Sequence, residues 1–117
     1  MSEVNNPSVQ LLERYLDVAA RRERVVATNI ANLDTPGYHT HDLDFGEALT
    51  AAMDGRLAAL EPQEVGGLVA RPDGNNVSME RESLLLAEAQ LQFRAGIQLL
   101  RSQFQRMRQA ITGGSSS

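Results

Sequence analysis

The sequence contains no cysteine and no tryptophan. Without cysteine the chain can have no disulfide framework, no thiolate metal site and no cysteine nucleophile. It has only three Phe and two Tyr. Because large rings contribute most to core burial, the interior has to be built from aliphatic side chains. This composition favours helices packed side by side over a β-sandwich or barrel.

Positive charge and long apolar runs are also scarce. The formal net charge of −4 argues against non-specific nucleic-acid binding, which needs a dense positive surface. The longest aliphatic run is residues 84–86, far short of a membrane span. No basic segment followed by an apolar one opens the sequence, so we expect no cleaved secretory signal. A chain of 117 residues corresponds to one domain.

The sequence carries no pattern typical of a catalytic or cofactor site. It lacks a Gly-rich phosphate loop and a nucleophile elbow, and we predict no catalytic residue and no cofactor. Glu80, Glu82 and Glu88 are interpreted as solvated acids on a helix. His39 and His41 would share one face of an extended segment, but two imidazoles without a third ligand are weak evidence for a metal. We therefore interpret them as surface residues and predict no metal site.

The N-terminal part of the chain is predicted to form a helix over residues 7–33, after a flexible segment at residues 1–6. Asn6 is suited to the N-cap, and Pro7 to the first helical position, where a missing N–H costs nothing. Pro36-Gly37 ends the pattern and suits the centre of a type II turn. The apolar residues that we expect to form its seam are Leu12, Leu16, Val26 and Ile30.

The C-terminal part shows a more regular apolar repeat, which predicts a second helix over residues 79–111 with Ser78 as its N-cap. Gly113-Gly114 is predicted to end this helix, leaving residues 113–117 as a flexible tail. The seam residues are Phe93, Ile97, Leu100, Phe104, Met107 and Ile111. The predicted fold is therefore all-α, with two long terminal helices (7–33 and 78–112) pairing as an antiparallel coiled-coil hairpin.

The middle segment, residues 34–77, is predicted to be irregular. It contains an extended stretch, a short amphipathic helix that starts near Phe45, and a turn-rich region over residues 61–76. So much irregular chain is uncommon in a compact domain of this size, so we expect it to find packing partners on other molecules.

Residues 29–38, Asn-Ile-Ala-Asn-Leu-Asp-Thr-Pro-Gly-Tyr, resemble the N-terminal signature of the flagellar axial proteins, which include rod and hook subunits. Residues 42–45, Asp-Leu-Asp-Phe, are similar to the smallest, proximal-rod type. His39 stands where that family usually has a basic residue. The signature positions that the resemblance marks for assembly are Asn29, Ala31, Asn32, Thr35, Pro36, Gly37 and Tyr38.

The resemblance implies a structural subunit of the basal-body proximal rod that polymerises through its terminal helices and is needed for motility. It further implies a periplasmic location and export through the flagellar type III apparatus without a cleaved signal peptide. The implied partners are other copies, other rod proteins, and the MS ring with its rod adaptor. No nucleic acid and no direct membrane insertion are expected.

Several features have two interpretations. A soluble coiled-coil adaptor or chaperone-like binding module would share the helical repeat, although it would not need the signature. Arg94, Arg101 and Arg108 are either a solvated flank or partners for acids on the first helix or on another subunit. Phe45 and Leu49 match a short export-gate pattern of early flagellar substrates, but their spacing also describes one face of a helix.

Overall fold

The structure, a computed structural model, describes residues 6–116, and side chains through Gly113. Its elements, in chain order, are helix α1 (Pro7–Ala31), strand β1 (His41–Asp42), helix α2 (Phe45–Met53), a 3-10 turn (Leu57–Ala59), strand β2 (Gln63–Glu64) and helix α3 (Met79–Ser116). The two long terminal helices pack against each other, and the only sheet in the described chain has two short strands. The predicted all-α fold is confirmed.

Helix α1 begins where its capping residues predict. The side-chain oxygen of Asn6 accepts hydrogen bonds from the backbone N–H groups of Ser8 (2.9 Å) and Val9 (3.2 Å). These are donors that have no partner inside the helix. The helix ends at Ala31, two residues before the predicted end at 33. Asn32 has a non-helical φ of −105°, and the N–H of Leu33 bonds the Ile30 carbonyl, three residues back instead of four.

Helices α1 and α3 run antiparallel and approach most closely where α3 carries a glycine. A Cβ built on Gly96 would lie 2.7 Å from Cδ2 of Leu16 and 3.1 Å from Cδ1 of Tyr15. Two turns before Gly96, Ala89 of α3 is fully buried, as is Val26 of α1. The hairpin therefore depends on small residues of α3 as well as on the large apolar ones that its repeat displays.

Helix α3 extends further than predicted. It runs unbroken through Gly113-Gly114 to Ser116, so the prediction that this glycine pair ends the helix and begins a flexible tail is wrong. Each glycine costs a helix only about 1 kcal/mol relative to alanine, which weakens the last turns without forbidding them. At 38 residues, α3 is about 57 Å long at about 1.5 Å per residue. The predictions for residues 1–5 and Ser117 lie outside the described residues.

Helix α2 packs on a different side of α1 from α3. Ala48 and Ala52 of α2 form a buried cluster with Val18 of α1, and the ring of Phe45 meets Tyr15 edge-on at 5.3 Å. The half-buried residues around this cluster are Phe45, Leu49, Leu57 and Leu60. The short helix predicted from Phe45 onward is thus present, and it is anchored to α1 by burial of its alanine face.

Arg22 connects three elements of the fold. Its guanidinium lies 3.2 Å from Asp42 in β1 and 2.8 Å from Glu88 in α3. Burial works against the charge on Arg22, but hydrogen bonds to the two carboxylates outweigh it and hold its pKa above the ordinary value. β1 in turn pairs with β2 in antiparallel register, His41 opposite Glu64.

Candidate functional site

The side chain of Asn29 is the centre of a buried joint between the end of α1 and the start of α3. Its oxygen accepts hydrogen bonds from the Tyr38 hydroxyl (2.9 Å) and the His41 N–H (3.1 Å). Its nitrogen donates to the His41 carbonyl and to Oε1 of Glu82, both at 2.7 Å. An amide offers two donors and two acceptor sites, so Asn29 is fully satisfied while having no exposed surface.

Glu82 is buried in this joint, so its interpretation as a solvated acid is wrong. It has no exposed surface, and its second oxygen accepts a 2.7 Å hydrogen bond from Arg81. The arginine partner and the Asn29 amide replace the water that the carboxylate loses. Burial raises the pKa of Tyr38, and the nearby negative charge of Glu82 raises it further. Glu80 and Glu88 are exposed, as predicted.

The remainder of the signature closes α1 and turns the chain. The Asn32 side chain donates to the Thr28 carbonyl (2.8 Å) and accepts from the Thr35 hydroxyl (3.0 Å). Gly37 has a φ of +77°, as the predicted type II turn requires at that position. The Tyr38 N–H then bonds the Thr35 carbonyl at 3.2 Å.

A second asparagine, Asn75, holds this turn from the far end of the middle segment. Its side-chain nitrogen donates to the carbonyls of Asn32 (2.9 Å) and Thr35 (2.8 Å), and its oxygen accepts from the Val77 N–H (2.8 Å). Asn75 is completely buried. It therefore gives the Asn32 and Thr35 carbonyls, just past the end of α1, a second donor beside the backbone N–H groups of Thr35 and Tyr38.

Backbone contacts and Arg71 complete the joint. The Gly37 N–H donates to the Asp73 carbonyl at 2.9 Å. The Arg71 guanidinium donates to the carbonyls of Val77 (2.7 Å) and Leu33. Gly74 has a φ of +88° and packs against Gly37. A Cβ built on Gly74 would lie 3.4 Å from the Cα of Gly37. The loop over residues 71–77 is therefore half of the joint.

Sequence reasoning missed this half of the joint. Residues 72–75 were interpreted only as turn chemistry, and Glu82 as a surface acid. The available signal was the run of two asparagines, Asn75-Asn76, directly before α3, since amides at a helix junction can satisfy both donors and acceptors. The Asn76 oxygen in fact accepts from the backbone N–H (2.6 Å) and hydroxyl (2.9 Å) of buried Thr40.

The predicted helix seam is only partly the contact face observed within the chain. Val26 is fully buried, and the half-buried positions are Leu12, Leu16, Ile30, Phe93, Ile97, Leu100 and Met107. On α3 the contact face is centred on Ala89 and Gly96, one side of the predicted stripe. Phe104 and Ile111 are 46% and 77% exposed. Packing within the chain leaves both side chains largely exposed, and their place in a seam, within or between subunits, stays a prediction.

The remaining candidate residues lie outside the joint or at its edge. The Nδ1 atom of His39 is 3.2 Å from Glu64, and the His41 ring meets Tyr38 at 5.8 Å. No group of three or more His, Asp or Glu side chains gathers to hold a metal within the described residues. Asp17 pairs with Arg14 at 3.1 Å.

The arginine stripe of Arg94, Arg101 and Arg108 is exposed. Within the described chain none of the three forms an ion pair with α1. Among residues 6–116, no helix is both long and apolar enough to cross a bilayer.

The chain matches no protein-family model. It is 30% identical to the flagellar basal body rod protein FlgB of Salmonella typhimurium, in an alignment that covers 92% of this chain and 95% of the relative. The chain belongs to the FlgB family. It is also 33% identical to the FlgB of Cereibacter sphaeroides over 79% of this chain and 84% of that protein. The FlgB of Bacillus subtilis is 27% identical over 92% and 95%.

Membership of the FlgB family makes this chain a structural component of the flagellar basal-body rod that associates with other rod components. The resemblance found in residues 29–38 is confirmed, and the adaptor interpretation is the weaker one. The signature folds into a buried hydrogen-bonded joint that fixes α1 against α3.

Proposed function

We propose that this chain is a subunit of the proximal rod, where it polymerises through its two terminal helices. The rod would lie in the periplasm, between the MS ring with its adaptor and the later rod subunits. The observation that carries the proposal is the joint at Asn29. By joining α1 to α3 it makes the hairpin a preformed unit, so a polymerising subunit spends less conformational entropy on assembly.

The signature divides into a part that holds the joint and a part that faces outward. Asn29 is buried, and Asn32 and Tyr38 are half-buried, whereas Ala31 and residues 35–37 are exposed. The exposed part forms a rigid turn at one end of the hairpin. We assign it to contacts with neighbouring subunits, since the joint itself needs no partner to satisfy its polar groups.

The long helices also expose apolar side chains that a polymer would bury. The large hydrophobic residues that are at least 46% exposed on α1 and α3 are Leu11, Met79, Leu84, Leu91, Leu99, Phe104 and Ile111. Exposed apolar surface on this scale is typical of proteins with partners. It supports assembly through the terminal helices.

Deletion of the gene in its native host tests the proposal. Cells should stop swimming, and purified basal bodies should end at the membrane ring without a rod; the wild-type gene supplied in trans should restore both. If the deletion strain swims with intact basal bodies and no duplicate gene substitutes, the rod proposal fails and the adaptor interpretation takes its place.

The part played by the helix seam can be tested with Leu100→Asp. The side chain is half-buried beside α1, so a carboxylate there would be desolvated without a partner. The variant should fail to restore rod assembly. Gln98→Asp adds the same charge at an exposed position of the same helix and should restore it. Equal assembly by the two variants would contradict a role for the seam.

Export through the flagellar type III apparatus without a cleaved signal peptide is the second part of the proposal. In the folded chain Phe45 and Leu49 pack against the cluster around Val18, so an export gate could contact them only before the subunit folds. Phe45→Ala should therefore block secretion. Leu60→Ala removes a half-buried side chain from the same cluster outside the motif and should be secreted normally. Equal secretion of both variants would show that the motif has no export role.

A further inference from the structure

Charge is distributed unevenly along this chain. Residues 89–117 contain four arginines (Arg94, Arg101, Arg106, Arg108) and no acidic residue. Residues 34–64 contain seven carboxylates (Asp34, Asp42, Asp44, Glu47, Asp54, Glu61, Glu64) and one arginine, Arg56. Three of the arginines lie on the C-terminal half of α3 and Arg94 lies near its middle, whereas the carboxylates lie on α2 and on the strands and loops that flank it. One subunit thus carries a basic surface and an acidic surface on different elements.

The basic surface also has apolar members. Arg101, Phe104, Arg108 and Ile111 are three, four and three residues apart, so they lie on one face of α3. We call these four residues the arginine face. Phe104 is 46% exposed and Ile111 77% exposed, and both arginines are exposed. Where side chains are described, neither arginine forms an ion pair.

The outer side of α2 has the complementary character. Its inner side is made of buried Ala48, Ala51 and Ala52. Glu47 and, directly after the last helical residue, Asp54 are exposed, and their spacing of seven residues places them on one side. We call these two residues the acidic face. Within the described chain Glu47 has no cationic partner, and Asp54 has only the exposed Arg56, at 3.2 Å.

The two faces match in spacing. Glu47 and Asp54 are seven residues apart, as are Arg101 and Arg108. At about 1.5 Å per residue each pair spans about 10 Å, so two helices lying side by side would bring both pairs into register. The apolar Phe104 lies between Arg101 and Arg108 on the arginine face, where contact would remove it from water.

The faces cannot meet within one subunit. α2 packs on α1 at Val18, and α3 passes the neighbouring Leu16 at Gly96. Arg101 and Arg108 follow Gly96 by five and twelve residues. At about 1.5 Å per residue they lie about 8 and 18 Å further along α3, away from the end at which Asn29 meets Glu82. Within one subunit, therefore, neither face contacts the other.

We propose that the arginine face of one subunit docks on the acidic face of a second copy of this chain. Arg101 and Arg108 pair with Glu47 and Asp54, and Phe104 lies between the two ion pairs. This contact rests on the proposed function and specifies how neighbouring subunits meet. Because the two faces differ, every copy offers one of each, and the contact repeats from subunit to subunit as a ring or helical polymer requires. Exposed ion pairs are individually weak, so they set the register of the contact while burial of Phe104 adds affinity.

Charge reversal of each face tests the proposal on the purified full-length chain. Sedimentation velocity should show self-association of the wild type that weakens as salt rises. The double variants Arg101→Glu/Arg108→Glu and Glu47→Arg/Asp54→Arg should each associate at least about tenfold more weakly. An equimolar mixture of the two should recover association, because the reversed α3 of one variant fits the reversed α2 of the other.

Arg24→Glu is the matched control, since Arg24 is exposed on α1 outside both faces and should leave association unchanged. Circular dichroism should show unchanged folding in every variant. A wild type that stays monomeric at millimolar concentration, variants that associate normally, or a mixture that stays monomeric would each overturn the proposal. So would an arginine face that binds only anionic vesicles or only another rod protein.

Complementation separates this proposal from the proposed function. If Arg101→Glu/Arg108→Glu restores full swimming to a deletion strain that the wild-type gene also rescues, the docking contact is wrong and the rod assignment stands. If the deletion strain swims normally, the rod assignment itself fails. The expected result is loss of swimming for the arginine variant and rescue by Arg24→Glu.

Discussion

The side-chain nitrogen of Asn29 lies 2.7 Å from Oε1 of Glu82, which joins the last turn of α1 to the first turn of α3. The two residues are 53 positions apart in the sequence, and both are fully buried. A neutral amide opposite a carboxylate needs no counter-charge at this contact, so the bond is sensitive to any change that adds a second negative charge.

Asn29→Asp should convert this contact into a pH-dependent one. Two carboxylates at this distance in a buried site cannot both be charged, so one of them must hold a proton in the folded state. At pH values above the ordinary carboxyl pKa of about 4, the folded state then binds more protons than the unfolded state. The free energy of unfolding therefore falls as pH rises above about 4. We expect a loss of about 2–4 kcal/mol at pH 8 and partial recovery at pH 5, measured by urea denaturation.

Asn29→Ala is the control for this prediction. It removes the same hydrogen bonds without adding charge, so its destabilisation should be nearly constant between pH 5 and pH 8. A pH profile for Asn29→Asp that runs parallel to that of Asn29→Ala would contradict the prediction.

The contribution of Tyr38 to stability should be lost at alkaline pH. Burial and the charge of Glu82 raise its pKa in the folded state above the ordinary value of 10.0. The contribution is therefore complete below about pH 10 and is lost as pH rises through the folded-state pKa. Tyr38→Phe should cost about 1 kcal/mol at pH 7, because Asn29 loses a donor, and should show a smaller alkaline decline. Denaturation curves at pH 7, 9 and 10.5 measure both effects.

Tyr15→Phe is the comparison, since it removes the other tyrosine of the chain and leaves Tyr38 in place. Its alkaline decline should match that of the wild type. If Tyr38→Phe and the wild type lose stability equally above pH 10, Tyr38 is not the group responsible.

Gly96→Ala should destabilise the hairpin although alanine is the better helix former. The new methyl would lie 2.7 Å from Cδ2 of Leu16 and 3.1 Å from Cδ1 of Tyr15, so α1 and α3 would have to move apart. Overpacking of this kind costs about 1–3 kcal/mol, which exceeds the propensity gain of about 1 kcal/mol. Gly113→Ala makes the same change in the same helix with no atom within 4 Å and should be neutral or stabilising. Thermal denaturation with equal losses for both variants would show that close approach at Gly96 is not the cause.

Asn75→Ala should weaken the joint from the side of the middle segment. It would leave the buried Val77 N–H without its partner and would remove one of the two donors to each of the Asn32 and Thr35 carbonyls. We expect a loss of about 2–3 kcal/mol in urea denaturation. Asp73→Asn keeps an oxygen that can accept from the Asn75 N–H, so it should cost less than about 1 kcal/mol. A larger effect for Asp73→Asn than for Asn75→Ala would contradict this account.

The helices were predictable because their signals are local. Asn6 and Pro7 mark the start of α1 whatever the rest of the chain does, and the spacing of large apolar residues identifies α3 as amphipathic. The centre of the contact face was not predictable in the same way. Ala89 and Gly96 add little to a hydrophobic repeat, yet their small size is what allows the helices to approach closely.

The joint was only half predictable for a different reason. The signature marked Asn29 as important, but its partner Glu82 looks like any acid in the first turn of a helix, where negative charge is favourable. Burial of Glu82 depends on the tertiary position of α3, which no local pattern contains. The role of Asn75 was not predictable either, because a Pro-Asp-Gly-Asn run forms a turn in many proteins.

The joint closes the base of the middle segment, since Tyr38 and Thr40 bond Asn76 at its other end. We therefore expect that the loop after β2 can change in length without moving α1 or α3. Gly66 and Gly67 lie in that stretch, are exposed and have open space around them. The alignment with the Salmonella typhimurium relative spans 137 positions against the 117 residues of this chain, so the family tolerates differences in length. A loop closed at its base is where an axial subunit can accept an insertion while its polymer-forming helices keep their register.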